Sequence, residues 1–281
     1  MDGKWLEVFA TGKESSRELA ATILIEVAGS GVEETATGLR AYLKEPSPET
    51  LKGLEERLAS VGWTFHHIKP FTEKDWLEEW KKYIRPVRIK PLYICQSFST
   101  SRVPAGYIPI VIDPSMAFGT GTHPSTKLAL KALVWLLSKK ERFFKDRVLS
   151  LLDVGTGSGI LAIAAKKLGA ERVVATDIDG LALRVARKNA RLNKAPVRIT
   201  GKPLTEIRGG FSLVVANIIK EVLIHISKGL SQKTRRGGYI VLSGLLQEDE
   251  KETVEHFSGL SFSLIRRFTL KEWVAVVMKK G

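Results

Sequence analysis

The sequence predicts an α/β protein, a doubly wound parallel sheet preceded by a smaller α+β domain. Three observations carry that expectation. Beyond about residue 90, apolar stretches of strand length alternate with amphipathic helical stretches, as in parallel sheets covered on both faces. One apolar stretch, Leu151-Leu152-Asp153-Val154, runs into the glycine-rich turn Gly155-Thr156-Gly157-Ser158-Gly159 and then into a helical pattern. The first seventy residues instead show short elements in the order β-α-β-β-α-β, the pattern of a small ferredoxin-like module.

Taken in order, Trp5 to Ala10 alternates as a strand, and Glu14 to Val27 places Leu19, Ile23, Leu24 and Val27 at helical spacing. Gly29, Ser30 and Gly31 stop that helix. Two short strands turning near Gly38 follow between Val32 and Leu43. Ser47-Pro48-Glu49-Thr50 opens a helix ending at Gly62, with Pro48 tolerated in the first turn, and Trp63 to Ile68 is a fourth strand. Thr72 to Tyr83 carries Trp76, Leu77, Trp80 and Tyr83 on one helical face and ends at Arg85-Pro86. The expected domains are therefore 1–70, a helical linker 71–86, and a large domain 87–281. In the last, strands at 148–154, 172–176, 211–216 and 238–242 alternate with helices at 160–168, 180–192, 222–230 and 249–256.

Composition narrows the class. The 281 residues carry 44 Lys and Arg against 30 Asp and Glu, a net charge of +14, and can bury a sizeable core. That charge fits nucleic acid, a ribonucleoprotein particle or an anionic small molecule, and equally a Lys-rich surface of a heat-adapted lineage. No apolar run approaches the roughly 18 residues of a membrane-spanning helix. The N-terminus lacks a basic segment followed by an apolar one, so a cytoplasmic protein is expected. Cys95 is the single cysteine, which excludes an internal disulfide and a cysteine-based metal site. No metal is expected.

The glycine turn is not a dinucleotide fingerprint, because Gly-x-Gly-x-x-Gly would need glycine at Ile160. With Asp153 two residues ahead, it reads Asp-x-Gly-x-Gly-x-Gly. This resembles the first motif of class I S-adenosylmethionine methyltransferases, where an acidic group at the strand end faces the cationic methionine part. The next strand ends at Asp177, 22 residues after Gly155, where a carboxylate accepts both ribose hydroxyls of an adenosine. Ile178 is placed to cover an adenine face, and Asp179 is read as the N-cap of the following helix. Upstream, the loop Phe118-Gly119-Thr120-Gly121-Thr122-His123 runs into Pro124-Ser125-Thr126, the start of another helix. Folded over a ligand, it would offer Thr hydroxyls and helix N-terminal amides to a carboxylate. His123 is read as structural rather than as a base. The fourth strand ends at Asn217, whose side-chain oxygen could hold a substrate amine. Amino-methyltransferases often carry Asn/Asp-Pro-Pro-Tyr at this place. The chain lacks the prolines and the aromatic residue, which favours an aliphatic amine over a flat base.

The loop 117–126, the motif 153–165, Asp177-Ile178-Asp179 and Ala216-Asn217-Ile218 occur in this order in the ribosomal-protein lysine methyltransferase family, which modifies the eleventh protein of the bacterial large subunit. The resemblance extends to residues 75–80 and to Lys271-Glu272-Trp273. It departs at Ser212, where the family has an acidic residue, and it is weakest before residue 70. It implies a Rossmann-like class I methyltransferase domain behind a substrate-recognition domain. It also implies a cytoplasmic transferase methylating lysine ε-amines and an N-terminal α-amine of that protein, free or on the ribosome, with ribosomal RNA as a further contact. Phe118, Gly119, Thr120, Gly121, Thr126, Asp153, Gly155, Gly157, Asp177, Ile178 and Asn217 are the expected cofactor residues, and Asn217 and Thr120 the expected catalytic pair. S-adenosylmethionine is the expected cofactor and S-adenosylhomocysteine its product. Methyl transfer needs a neutral amine, and a desolvated site beside a sulfonium lowers the lysine pKa without a dedicated base. The alternative is a class I methyltransferase acting on RNA, DNA or a small amine.

Overall fold

The computed structural model describes residues 5–28, 32–71, 85–99, 101–113, 121–144 and 148–281. The chain divides into two compact units between Ile84 and Arg85. Of the expected linker, residues 72–84 lie outside the described residues, and so does the predicted Trp76–Trp80 face.

The first unit contains β1 (Trp5–Gly12), α1 (Arg17–Ala28), β2 (Glu33–Glu34), β3 (Leu39–Lys44), α2 (Pro48–Ser60) and β4 (Trp63–Phe71). The strands form one antiparallel sheet in the order β2-β3-β1-β4, as the predicted element order requires. Alternation decides which side packs: Val8, Ala10, Leu39, Ala41 and Leu43 are buried together with Leu24 of α1 and Leu54 and Leu58 of α2. Ser47 caps α2 by accepting from the Thr50 N–H at 3.2 Å, with Pro48 in the first turn.

The second unit opens with strands that the sequence pattern did not resolve. β5 (Val87–Ile89), β6 (Leu92–Gln96) and β7 (Ile108–Ile112) form a separate three-stranded sheet, in which β6 and β7 run parallel. Strand–helix alternation therefore begins later than residue 90, with α3 (Pro124–Leu137), a short α4 (Lys140–Phe143) and β8 (Ser150–Val154). α5 (Ile160–Lys167), β9 (Arg172–Thr176), α6 (Gly180–Leu192), β10 (Arg198–Thr200) and β11 (Phe211–Asn217) follow. The helix expected at 222–230 is two helices, α7 (Lys220–His225) and α8 (Ser227–Lys233), because Ile226 leaves the helical register between them. β12 (Thr234–Leu246), α9 (Glu250–Ser258), β13 (Phe262–Leu270) and β14 (Trp273–Lys280) complete the unit.

These strands make a seven-stranded sheet, β10-β9-β8-β11-β12-β14-β13, with β14 antiparallel to both neighbours. Successive residues of each strand feed opposite faces. Leu151, Leu213, Val215 and Val241 join the core under α3 and α5, while Leu152, Val214, Ala216 and Leu242 join the one reached by α8 and α9. The strand order reverses at β8, with β9 on one side and β11 on the other. Open α/β sheets bind ligands at the carboxyl ends of such a pair.

Candidate functional site

The carboxyl end of β8 is built around Asp153, which is fully buried. One carboxylate oxygen accepts from the Thr156 hydroxyl at 2.6 Å and the Ala162 N–H at 3.2 Å. The other, Oδ1, is buried and accepts from no donor among the described residues. Burial lifts this carboxyl to about 7; the two hydrogen bonds hold it down, and nearby Asp177 adds to the rise.

The turn after β8 takes left-handed backbone at Gly155, Gly157 and Gly159 (φ 68°, 53° and 83°). At Gly155 a side chain is excluded twice over, since an added Cβ would also lie 2.8 Å from Ile218 Cδ1. This close approach joins the glycine turn to the segment after β11. The turn is also tied to β9: Gly155 and Thr156 donate their N–H groups to the Thr176 carbonyl, and Gly157 donates to Asp177 Oδ2 at 2.8 Å. Asp177 Oδ1 accepts from the Asp179 N–H at 3.1 Å, so both oxygens already hold one amide each and retain a second lone pair outward. Ile178 is fully exposed beside it. Asp179 is the N-cap of α6, accepting from the Leu181 N–H, as its position suggested.

On the other side of the switch, Asn217 ends β11 and donates from Nδ2 to Thr126 Oγ1 at 3.3 Å. Its oxygen is buried and has no partner among the described residues. Thr126 lies in the first turn of α3, capped by His123, whose Nδ1 accepts from the Ser125 N–H. The His123 ring also meets Trp273 edge-on, 4.6 Å between centroids, and the histidine has the structural place anticipated for it. Ser243 Oγ donates to the Ser125 carbonyl at 2.9 Å and fastens this helix end to β12. Gly121 sits where an added Cβ would be 2.9 Å from Ile160 Cδ1 at the start of α5.

Asp153, Gly155, Gly157 and Asp177 are thus brought together by β8 and β9, and Asn217 and Thr126 by β11 and α3. Phe118, Gly119 and Thr120 lie outside the described residues. Four side chains that order the site were missed. Thr156 holds Asp153. Ser243 holds α3. Asn189, in α6, accepts from the Asp113 N–H at 2.9 Å and donates to the Ser158 carbonyl at 2.8 Å. Asn193 accepts from the Val111 N–H at 2.8 Å and donates to the Val111 carbonyl. Two buried asparagines four apart, one among the alanine, leucine and valine side chains of the buried face of α6 and one at its C-terminal cap, are the signal that could have found the last pair.

Comparison with known proteins agrees with this geometry. Residues 32–281 match the family described as ribosomal protein L11 methyltransferase (PrmA). Proteins of that name from Geotalea uraniireducens and Geobacter metallireducens are 35% and 34% identical, over 96% and 100% of this chain and equal shares of their own. A crystal structure of ribosomal protein L11 methylase from Lactobacillus delbrueckii subsp. bulgaricus superposes with a TM-score of 0.62 at 30% identity, covering 70% of this chain and all of that one. The chain belongs to the ribosomal protein L11 methyltransferase family.

Proposed function

We propose that this chain is an S-adenosylmethionine-dependent methyltransferase of ribosomal protein L11, acting on lysine ε-amines and the N-terminal α-amine. The observation that carries the reading is a pair of buried oxygens without a partner among the described residues, Asp153 Oδ1 and Asn217 Oδ1, at the adjacent carboxyl ends of β8 and β11. Buried acceptors are almost always satisfied in folded chains. Two open ones at a topological switch point fit ligands that bring N–H donors, a cofactor ammonium at Asp153 and a substrate amine at Asn217.

S-adenosylmethionine, when bound, supplies the electrophilic methyl group. The residues of the chain do the rest. Asp177 accepts from ribose hydroxyls with its remaining lone pairs, and Ile178 gains a face to cover. Asn217 Oδ1 accepts one amine N–H and so aims the nitrogen lone pair, while Thr126 keeps the amide from turning over. Desolvation beside the cationic cofactor disfavours the ammonium form of the incoming lysine, which needs no separate base. Thr120 and the rest of the 118–121 loop are assigned to the cofactor and the amine on the resemblance alone.

The substrate is L11, free or on the ribosome, in the cytoplasm, with ribosomal RNA a contact in the second case. Among the described residues no helix is long and apolar enough to cross a membrane. Mass spectrometry of unmethylated L11 incubated with the protein and labelled cofactor tests the assignment: methylated lysines are expected, and none would overturn it. The first unit is assigned to recognition of L11. Residues 85–281 alone should bind S-adenosylmethionine normally but methylate L11 poorly, because docking no longer raises the local lysine concentration. Equal activity with and without the first unit would make that unit purely structural.

A further inference from the structure

Half of the net charge of the chain sits in one short stretch. Residues 180–205 hold seven Lys and Arg and no Asp or Glu, against +14 for all 281 residues. A uniformly Lys-rich surface would not place half its excess in fewer than a tenth of its residues. The stretch is α6 and the lead into β10, the outermost strand of the large sheet.

α6 buries Ala182, Leu183, Val185, Ala186 and Ala190 and turns Arg184, Arg187 and Arg191 to solvent. Exposed Lys194 follows the helix, so the four cations recur at i, i+3, i+7 and i+10 and form one stripe about 15 Å long. Exposed Arg198 extends it onto β10. Lys188 is held by Asp113 and Lys202 by Glu206, but Arg184, Arg187, Arg191 and Lys194 pair with no acidic group among the described residues. Like charges three and four apart on a helix repel, so the stripe weakens the isolated helix and gives its own fold nothing in return. The helix that carries it starts at Gly180, two residues after Ile178, beside the candidate site.

We propose that this stripe is a docking surface for RNA backbone phosphates. A regular row of cations calls for a polyanion of regular charge. Guanidinium groups match phosphate oxygens two at a time, and three of the four cations are arginine. The stretch has no aromatic residue on which bases could stack, so it reads the backbone and not the sequence. A lipid surface is disfavoured because the apolar face of α6 is already buried under its own sheet and has nothing to insert. The choice of RNA rests on the ribosomal-protein substrate proposed above; the charge pattern does not.

The test is fluorescence anisotropy of the full-length protein with a fluorescein-labelled RNA hairpin of mixed sequence, over a series of KCl concentrations. The variant is Arg184→Gln, Arg187→Gln and Arg191→Gln together, which keeps helix propensity; circular dichroism confirms the fold. Affinity should fall about tenfold or more, and the slope of log affinity against log salt should become shallower by about 2. A control variant with Lys139, Lys228 and Lys251 changed to Gln, all exposed elsewhere on the unit, should lose far less. Unchanged RNA binding in the arginine variant, or an equal loss in the control, overturns the proposal. So does tighter, stripe-dependent binding to phosphatidylserine vesicles or to polyglutamate than to the hairpin. The arginine variant should also methylate free L11 at the parent rate, and a loss there with RNA binding intact reassigns the stripe to the protein substrate. If the parent protein fails to methylate L11 at all, the proposed function falls while the anisotropy result stands.

Discussion

The same two neighbouring strands, β8 and β11, end very differently. At their amino ends Ser150 and Ser212, each no more than 1% exposed, satisfy one another: each N–H donates to the other hydroxyl oxygen, at 3.4 and 3.1 Å, and the hydroxyls lie 3.3 Å apart. At their carboxyl ends Asp153, paired with Val215, and Asn217, one residue past the last pair Ala216–Val154, each keep a buried oxygen with no donor among the described residues. One end closes its polar groups inside the fold and the other leaves them open. The contrast separates what holds the sheet together from what the sheet is for. It also explains why serine suffices at position 212: a neutral hydroxyl is matched within the sheet, where an isolated carboxylate would need a cation.

Five substitutions break or sharpen this contrast. The largest effect is expected from Asn217→Ala, which removes an open oxygen: turnover on L11 should drop about 100-fold or more, the scale of losing a donor or acceptor at a reacting centre. Calorimetry should find S-adenosylmethionine affinity nearly unchanged, and a collapse of affinity with normal turnover at saturation would contradict the amine role. Next, Asp177→Ala should weaken cofactor binding by about 1.5–3 kcal/mol, the range for hydrogen bonds to a charged group. Unchanged affinity would remove the ribose assignment.

Asp153→Asn tests the carboxyl end from the side of stability. The carboxyl titrates near 7 in the fold against 3.8 for the ordinary group, so across that window the folded chain binds the extra proton. Stability therefore falls as pH rises through the window, and the amide abolishes the loss. The melting temperature of the variant, relative to the parent without ligand, should rise by a few degrees between about pH 5 and about pH 8. A difference that ignores pH would show that Asp153 is not a strained acid. The smallest effects belong to the closed end. Ser150→Ala or Ser212→Ala alone should cost about 1–3 kcal/mol in urea unfolding, by removing the acceptor of a buried N–H, and leave methylation intact. The double variant should cost less than the sum of the two. A loss of activity there would erase the distinction between the two ends.

Much of this could be read from the chain itself. The Asp-x-Gly-x-Gly-x-Gly spacing, the acid at 177 and the amide at 217 are local signals, because each sits where an apolar run stops. The helix starting at Pro124 and the cap at Asp179 are equally local. β13 and β14 were not legible, since Arg266 and Arg267 interrupt the apolar pattern of β13 and the hairpin is defined by pairing. The role of Thr156 depends on a bend that returns it to Asp153, and those of Asn189 and Asn193 on a strand some eighty residues earlier in the chain. For the two asparagines no short window of sequence contains both partners. The open oxygens were invisible for the opposite reason, because a missing hydrogen bond has no sequence signature at all.

Asn189 of α6 and Asn193 at its C-terminal cap have a consequence for solubility. β7 is an outer strand of its small sheet, and its sequence, Ile108-Pro109-Ile110-Val111-Ile112, is apolar and rich in β-branched residues. A bare edge of that kind is a template on which chains stack into aggregates. Asn193 occupies both the N–H and the carbonyl of Val111, and Asn189 takes the N–H of Asp113, so three of the polar groups through which another strand would attach are already taken. Two side-chain amides thus act as gatekeepers, and a chain whose α6 has come loose would reveal itself first as turbidity that grows with protein concentration.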